Sequence, residues 1–233
     1  MTAIFKREFK AYFSTPIGYI FLAAFYFFLG IFFFTLFSNG SPAISEILSS
    51  MSTVIFFLLP VITMRTMSED KRQKIDQILL TSPVKLSSIV LGKFFAALAV
   101  FAIGFAPTLI FEIIFAAFVS VNIFSYLYSL LGIMLLGGTL IAIGIFISSL
   151  TESTVVSAII TFLINIVLIL ITLFTSIIQN ETIVKIISAI SFTNVFQSFS
   201  DTIFSIADII YFLSFIAAFL FLSVRSLEKR RWS

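Results

Sequence analysis

The chain has no cysteine and no histidine among its 233 residues. The first absence excludes disulfides, thiolate metal sites and thiol redox chemistry. The second removes the commonest metal ligand, the usual neutral-pH general base and every Ser-His or Cys-His nucleophile. An aspartyl mechanism needs two carboxylates facing one another, whereas Asp201 and Asp208 fall at the edge of an apolar run or beyond it. No G-x-x-x-x-G-K-[ST] phosphate loop occurs, so nothing in the chain hydrolyses a nucleotide. Charge is also scarce: 11% of residues are Asp, Glu, Lys or Arg, against roughly 25% in soluble domains. Catalysis has little to work with here.

What the chain has instead is apolar surface. Hydrophobic residues make up 60% of it and the mean hydropathy is +1.19, more than a core of this size can hide. Six runs, centred on residues 17–37, 51–65, 94–118, 127–148, 154–178 and 208–224, are long enough or nearly so to cross about 30 Å of hydrocarbon. The sequence thus describes an all-α integral membrane protein with six transmembrane helices. Threading the runs alternately places Lys6, Arg7, Lys10, Arg65, Lys71, Arg72, Lys74, Lys85, Lys93, Arg225, Lys229, Arg230 and Arg231 on one side and Lys185 alone on the other. Loops rich in Lys and Arg resist translocation, so the rich side is expected to be cytoplasmic, with both termini inside. The net charge of +3 sits beside the spans as topology signal and anionic-lipid contact, which argues against nucleic acid as a partner. The first run is too long for a signal-peptide core and reads as a retained anchor.

Residues 3–14 set Ile4, Phe5, Phe9, Tyr12 and Phe13 opposite Lys6, Arg7 and Lys10 at helical spacing, an amphipathic helix for the membrane interface that Thr15-Pro16 ends. The connection 66–93 carries the densest run of charge, Glu69 to Asp76. Ser68 is a candidate N-cap, Glu69 and Asp70 suit a first turn, Asp70 and Lys74 are spaced to pair, and Ser82-Pro83 ends the segment. A helix over 68–82 with one charged face and one apolar face (Ile75, Ile78, Leu79) is more than a hairpin needs. It reads either as a linker lying on headgroups or as a seat for a cytoplasmic partner.

Within the spans, Pro60 and Pro107 mark possible bends. Gly138 and Ala142 form a small-xxx-small pair for close helix packing. In the fifth span Ser153, Ser157, Thr161 and Asn165 recur every four residues, with Thr172 roughly continuing the line. Polar groups in hydrocarbon cost free energy unless bonded, so this stripe serves interhelical hydrogen bonding or lines a transport path. Glu112, deep in the third span toward the outer side, is a candidate for substrate handling or simply snorkels to water. Residues 179–207 are expected outside as interfacial or re-entrant helices.

The run Thr63-Met64-Arg65-Thr66-Met67-Ser68-Glu69-Asp70-Lys71-Arg72, followed by Ile78-Leu79-Leu80-Thr81-Ser82-Pro83-Val84, resembles the permease subunits of ABC-2-type transporters. Together with Arg7-Glu8-Phe9-Lys10 and Ser14-Thr15-Pro16-Ile17-Gly18-Tyr19, it is most similar to the gliding-motility-associated permease branch. The resemblance implies one transmembrane domain over 1–233, with an interfacial helix at 1–16 and a coupling helix at 68–82 inserted into a separate ATPase. Glu69, Asp70, Lys71, Arg72, Lys74, Asp76, Ile78 and Leu79 would then be the ATPase-coupling residues. Where such permeases carry Gly-Thr-x-Glu, this chain reads Lys74-Ile75-Asp76-Gln77, which moves the acidic contact to Asp76. Ser157, Thr161, Asn165, Thr172 and Glu112 would mark the path. No cofactor is implied in this chain, ATP and Mg belonging to a partner ATPase dimer. A second permease, identical or related, and membrane lipid complete the partners, in a bacterial inner (plasma) membrane. The resemblance implies an exporter; the competing readings are a substrate-binding membrane component of an uptake system and a non-transporting scaffold.

Overall fold

A computed structural model of the chain describes residues 1–38, 40, 44–75, 84–116, 123–177 and 191–231. Among the described residues every regular element is helical. They are α1 (Thr2–Ser14), α2 (Pro16–Ser38), α3 (Ile44–Thr63), α4 (Ser68–Arg72), α5 (Leu86–Gly104), α6 (Ala106–Ala116), α7 (Ile123–Leu150), α8 (Thr154–Ile177), α9 (Phe192–Ser200) and α10 (Ile206–Arg231).

Six stretches of the described residues are long and apolar enough to span a membrane: Pro16–Ser38, Ser45–Arg72, Leu86–Ala116, Ile123–Leu150, Thr154–Thr172 and Ile206–Arg230. The second and third start earlier than the apolar runs suggest. Glu46 and the serines of α3, and Lys93 in α5, depress local hydropathy without breaking the helix. Lys93 is consequently no loop cation. It lies in the second turn of the third span, 1% exposed.

The bundle is organised around α7, whose inward residues include Gly137, Gly138, Thr139, Leu140, Ile141 and Ala142. α10 and α3 run along it, and α8, α9 and α5 pack on it at shorter seams. Small residues set these distances. A Cβ on Gly132 would fall 2.5 Å from Phe199 of α9, one on Gly137 would overlap the Phe101 ring of α5, and one on Gly138 would meet Ile216 of α10 at 3.2 Å. Packing is therefore what the glycines of the fourth span do.

The third span breaks beside its proline, while α3 runs on through its own. α5 ends at Gly104 and α6 begins at Ala106, with Pro107 in its first turn. Pro60 sits inside α3. Proline removes the N–H that would bond the carbonyl four residues earlier, and in both cases another helix replaces it. Tyr26 donates to Ile103 O at 3.1 Å and the Asn165 amide to Phe56 O at 2.7 Å.

α9 lies in the segment between the fifth and sixth spans, with Phe192, Phe196 and Phe199 buried against the bundle. Its start is capped by Ser191, which accepts from the Asn194 N–H at 3.3 Å, the usual way of satisfying a first-turn donor. Thr172 of α8 bonds Ser191 at 2.8 Å, and α7 holds the other end through Ser129 to Phe199 O at 3.1 Å and Tyr128 to Ile203 O at 3.0 Å. The rest of 179–207, up to residue 190, lies outside the described residues.

Candidate functional site

At the cation-rich end α1 folds back across the mouth of the bundle. Its inward line is the buried Ile4, the partly buried Glu8 and the buried Tyr12 at four-residue spacing, while Phe5, Phe9 and Phe13 form a half-buried aromatic ladder with centroids 5.8 and 5.2 Å apart. α1 lies directly on α5 because residue 92 is glycine: a Cβ there would stand 2.9 Å from Ile4 Cγ2. One residue on, Lys93 reaches out of α5 toward α1.

The second span breaks between α3 and α4, where Thr66 N bonds Thr63 O at 3.2 Å in place of Ile62 O. The released Ile62 carbonyl takes the Tyr12 hydroxyl of α1 at 3.1 Å. α4 then starts at Ser68 behind Met67, which has no capping side chain of its own. The cap comes from the fourth span. Ser148 accepts the N–H groups of Met67 and Ser68, each at 3.0 Å, and donates to Met64 O at 3.2 Å. Ser68, expected as the N-cap, is instead the first helical residue and donates back to Met64 O.

Four charges fill the space between α1, α4 and α5. Lys93 Nζ lies 2.7 Å from Asp70 Oδ2 and 3.1 Å from Glu8 Oε1 and donates to Thr66 O. Arg7 pairs with Glu8 and lies 3.5 Å from Asp70. Two cations and two carboxylates make the cluster neutral, which is what permits an almost fully buried ammonium. Burial alone would raise the Glu8 carboxyl, but the Lys93 charge and the Arg7 hydrogen bond outweigh it and hold the group below its ordinary range. For Arg7, burial pulls downward and the hydrogen bond and charge of Glu8, with Asp70, push the guanidinium above its usual value.

The expected coupling residues separate into two sets. Glu69, Asp70 and Lys71 face the chain itself: Glu69 pairs with Arg65 (Nη2 to Oε1 at 2.6 Å) and Gln73, Asp70 joins the cluster, and Lys71 is buried and donates to Ser149 O. Arg72 and Lys74 are exposed. The helix expected over 68–82 is interrupted. Its described part ends at Arg72, with Lys74 at φ 58 in the left-handed region, so Asp70 and Lys74 do not share the helical face that would pair them. Lys71 and Ser148 hold α4 against α7, and the chain leaves that seat by a turn (Lys74 N to Lys71 O, 3.1 Å) instead of continuing straight. Asp76, Ile78 and Leu79 lie outside the described residues.

Between α1 and the α3–α4 elbow lies a cleft of about 360 Å³, edged by Arg7, Glu8, Arg65, Glu69, Asp70 and Gln73. No described group of His, Cys, Asp and Glu is arranged to hold a metal ion. The arrangement has no nucleophile-and-base pair. It is a joint: three spans and the interfacial helix meet through buried charge.

The expected path residues lie elsewhere. Ser157, Thr161 and Asn165 of α8 are at most 1% exposed, turned toward the bundle while Val155, Ile159, Leu163 and Val167 face outward. Thr161 bonds Ser157 O at 2.8 Å and Asn165 bonds Phe56 O, so the stripe includes interhelical bonding. Ser157 Oγ and Asn165 Oδ1 have no partner among the described residues. Thr172 is tied to Ser191. Glu112 is buried on α6, 7% exposed, with both carboxylate oxygens unbonded among the described residues.

Reading along the sequence missed Glu8, Tyr12, Ser148 and Lys93 as members of this joint. The signals were present but small: one acid amid the cations of α1, and one lysine inside an otherwise apolar helix.

The sequence pattern of the ABC-2 family transporter proteins matches residues 38–225. The chain belongs to that family. No curated protein matches it. As a member it is a multi-pass membrane protein and a permease component of an ABC transporter.

Proposed function

We propose that this permease carries substrate outward across a bacterial inner membrane, driven by a separate ABC ATPase dimer that grips the chain at α4, the residues following it and α1. Both termini are cytoplasmic in this reading, and the cation asymmetry supports it. Within the family we place it nearest the gliding-motility-associated branch, on the residues at 7–19 and 63–84. It works beside a second permease, a copy or a relative, since one six-span bundle makes a poor conduit. ATP and Mg are held by the ATPase.

The carrying observation is the charge cluster that the buried Lys93 forms with Asp70 and Glu8, with Arg7 at its exposed edge. A flexible tether would dissipate a push delivered at α4. A seat locked by Ser148 and Lys71 to the fourth span, by Asp70 to the third and by Tyr12 to the second passes it on to all three. The exposed Arg72 and Lys74, with the adjoining 360 Å³ cleft, are the surface offered to the motor. Asp76, Ile78 and Leu79 follow directly in sequence and are assigned to the same contact.

The route we propose follows the seam of α3 and α8. Ser157, Thr161 and Asn165 supply polar groups there, and the spare capacity of Ser157 Oγ and Asn165 Oδ1 is available once the helices part. Thr172 and Glu112 lie further along toward the other side of the membrane.

Affinity purification of the tagged permease from its native membranes, with any co-purifying ABC ATPase quantified, tests the reading. Arg72→Glu with Lys74→Glu should release the ATPase while the permease keeps its thermal stability, because neither side chain is buried. Stoichiometric ATPase on the doubly reversed protein would overturn it. Asp70→Ala is the wrong probe, since it breaks the internal cluster as well.

A further inference from the structure

The sides of α5, α7 and α10 leave a groove of about 810 Å³ between the third, fourth and sixth spans. Its walls are almost wholly apolar: Phe95 and Leu98 from α5, Leu131 from α7, and Leu213, Ala217 and Phe221 from α10. Several of these are open to the surroundings, Phe95 at 40%, Leu213 at 50% and Phe221 at 57%. Gly138 forms part of the floor.

The groove opens at the cation-rich end. The groove runs along α5 from Ser87 to Leu98 and along α10 from Val224 back to Leu213. Eleven residues at 1.5 Å each give about 16 Å, close to half of the roughly 30 Å hydrocarbon layer. It begins at the cation-rich end of the spans, and its α7 wall carries it on as far as Leu131. An acyl chain entering at that end meets apolar walls throughout.

Charge selects the headgroup. Lys85, exposed, precedes Ser87 at the mouth. On α10 the groove-lining Phe221 is followed at helical spacing by exposed Arg225 and Lys229. The Arg225 guanidinium is held 5.0 Å over the Phe221 ring, one turn beyond it at the cation-rich end of the span. Glu228 takes part of that charge, 2.7 Å from Arg225 Nη1, which leaves the mouth net positive.

We propose that this groove is a binding site for an anionic phospholipid of the leaflet on the cation-rich side, one acyl chain lying between α5 and α10 and the phosphate held by Lys85 and Arg225. That leaflet is the cytoplasmic one in the orientation proposed above, but the site does not depend on it. Nor does it depend on the ATPase. The lipid fills a wedge that protein leaves open beside the fourth span, so it supports the packing of α5 against α10.

The full chain, reconstituted in nanodiscs of phosphatidylglycerol and phosphatidylcholine with identical acyl chains, provides the test. Native mass spectrometry after detergent exchange reads the lipid retained. Phosphatidylglycerol should be favoured about fivefold, the fold-change equivalent to the ~1 kcal/mol of one basic residue at an anionic surface. Lys85→Gln with Arg225→Gln should erase that preference, and Ala217→Trp should abolish retention. As a check independent of those variants' folding, phosphatidylglycerol carrying a mid-chain photoreactive group should crosslink the unaltered protein on α5 and α10. Equal retention of the two lipids, or crosslinks confined to other spans, would overturn the proposal. So would a disulfide between two copies carrying Leu213→Cys, which the natural absence of cysteine makes unambiguous, because it would show the groove covered by protein.

Discussion

Asn165 of the fifth span donates its side-chain amide at 2.7 Å to the carbonyl of Phe56 in the second, the carbonyl that Pro60 leaves without a helical donor. Proline and asparagine are each unfavourable inside a membrane, and together they are compatible. The proline creates an acceptor that the asparagine needs, and the bond ties together the two spans through which the proposed route passes.

Removing one member should therefore cost more than removing both. Asn165→Ala strands the Phe56 carbonyl in an apolar interior, a loss of about 1–3 kcal/mol. Adding Pro60→Ala restores the helical N–H for Phe56 and should recover most of the loss. Thermal unfolding midpoints of the two single variants and the double variant measure the coupling. Strict additivity would show that the two sites are independent.

Lys93 offers the sharper energetic case. With 1% exposure and two carboxylates in reach, it neutralises charge that water cannot. Lys93→Met leaves Glu8 and Asp70 sharing Arg7 alone and should destabilise by about 3–5 kcal/mol, the usual cost of unpairing a buried ion. Lys93→Met with Asp70→Asn removes one charge of each sign and should restore part of that stability. A double variant no more stable than Lys93→Met would show that Asp70 gains nothing from the lysine.

How far the sequence foretold this architecture depended on the length scale of each signal. Six spans were legible because hydrophobicity accumulates over some twenty residues, and the break beside Pro107 because proline acts by covalent geometry wherever it stands; α3 runs on through Pro60, and the second span breaks beyond it instead. The inward face of Ser157, Thr161 and Asn165 was readable from its four-residue period. The joint was not, because its members come from positions 8, 12, 70, 93 and 148 and meet only in three dimensions. Lys93 was misread as a loop residue by the same averaging that found the spans: one cation lowers a window's hydropathy whether it faces water or a buried carboxylate. The turn at Lys74 escaped for a related reason. Local pattern favours continuing the helix, and the contacts that override it, Ser148 and Lys71 against the fourth span, are long-range.

Acid should loosen the interfacial helix through Glu8. Its carboxyl is held below the ordinary value of 4.5 in the folded protein, so it binds protons less readily there than in the unfolded chain. The stability it contributes is complete above the unfolded value and is lost as pH falls through the lower folded one. The difference in unfolding midpoint between the natural protein and Glu8→Gln should stay constant from pH 7 to about 5.5 and shrink below about 4. A difference that grows on acidification would contradict the ion pairing of Glu8 with Lys93 and Arg7.

Gly137 sets how closely the third and fourth spans approach, because a methyl group there would overlap the Phe101 ring. That ring is fully buried and stands edge-on to Phe25, 6.1 Å away, and to Phe105, 5.2 Å away, so it cannot swing aside without disturbing an aromatic cluster. Gly137→Ala should cost about 1–3 kcal/mol by overpacking. Phe101→Leu alone should also destabilise, by opening a void. Combined, the methyl fills space that the shortened side chain vacates, and the double variant should be more stable than the sum of the single losses requires. Heat-induced unfolding of the three proteins in the same detergent decides the matter: if the double variant shows the full sum of both losses, the glycine and the ring are not in contact.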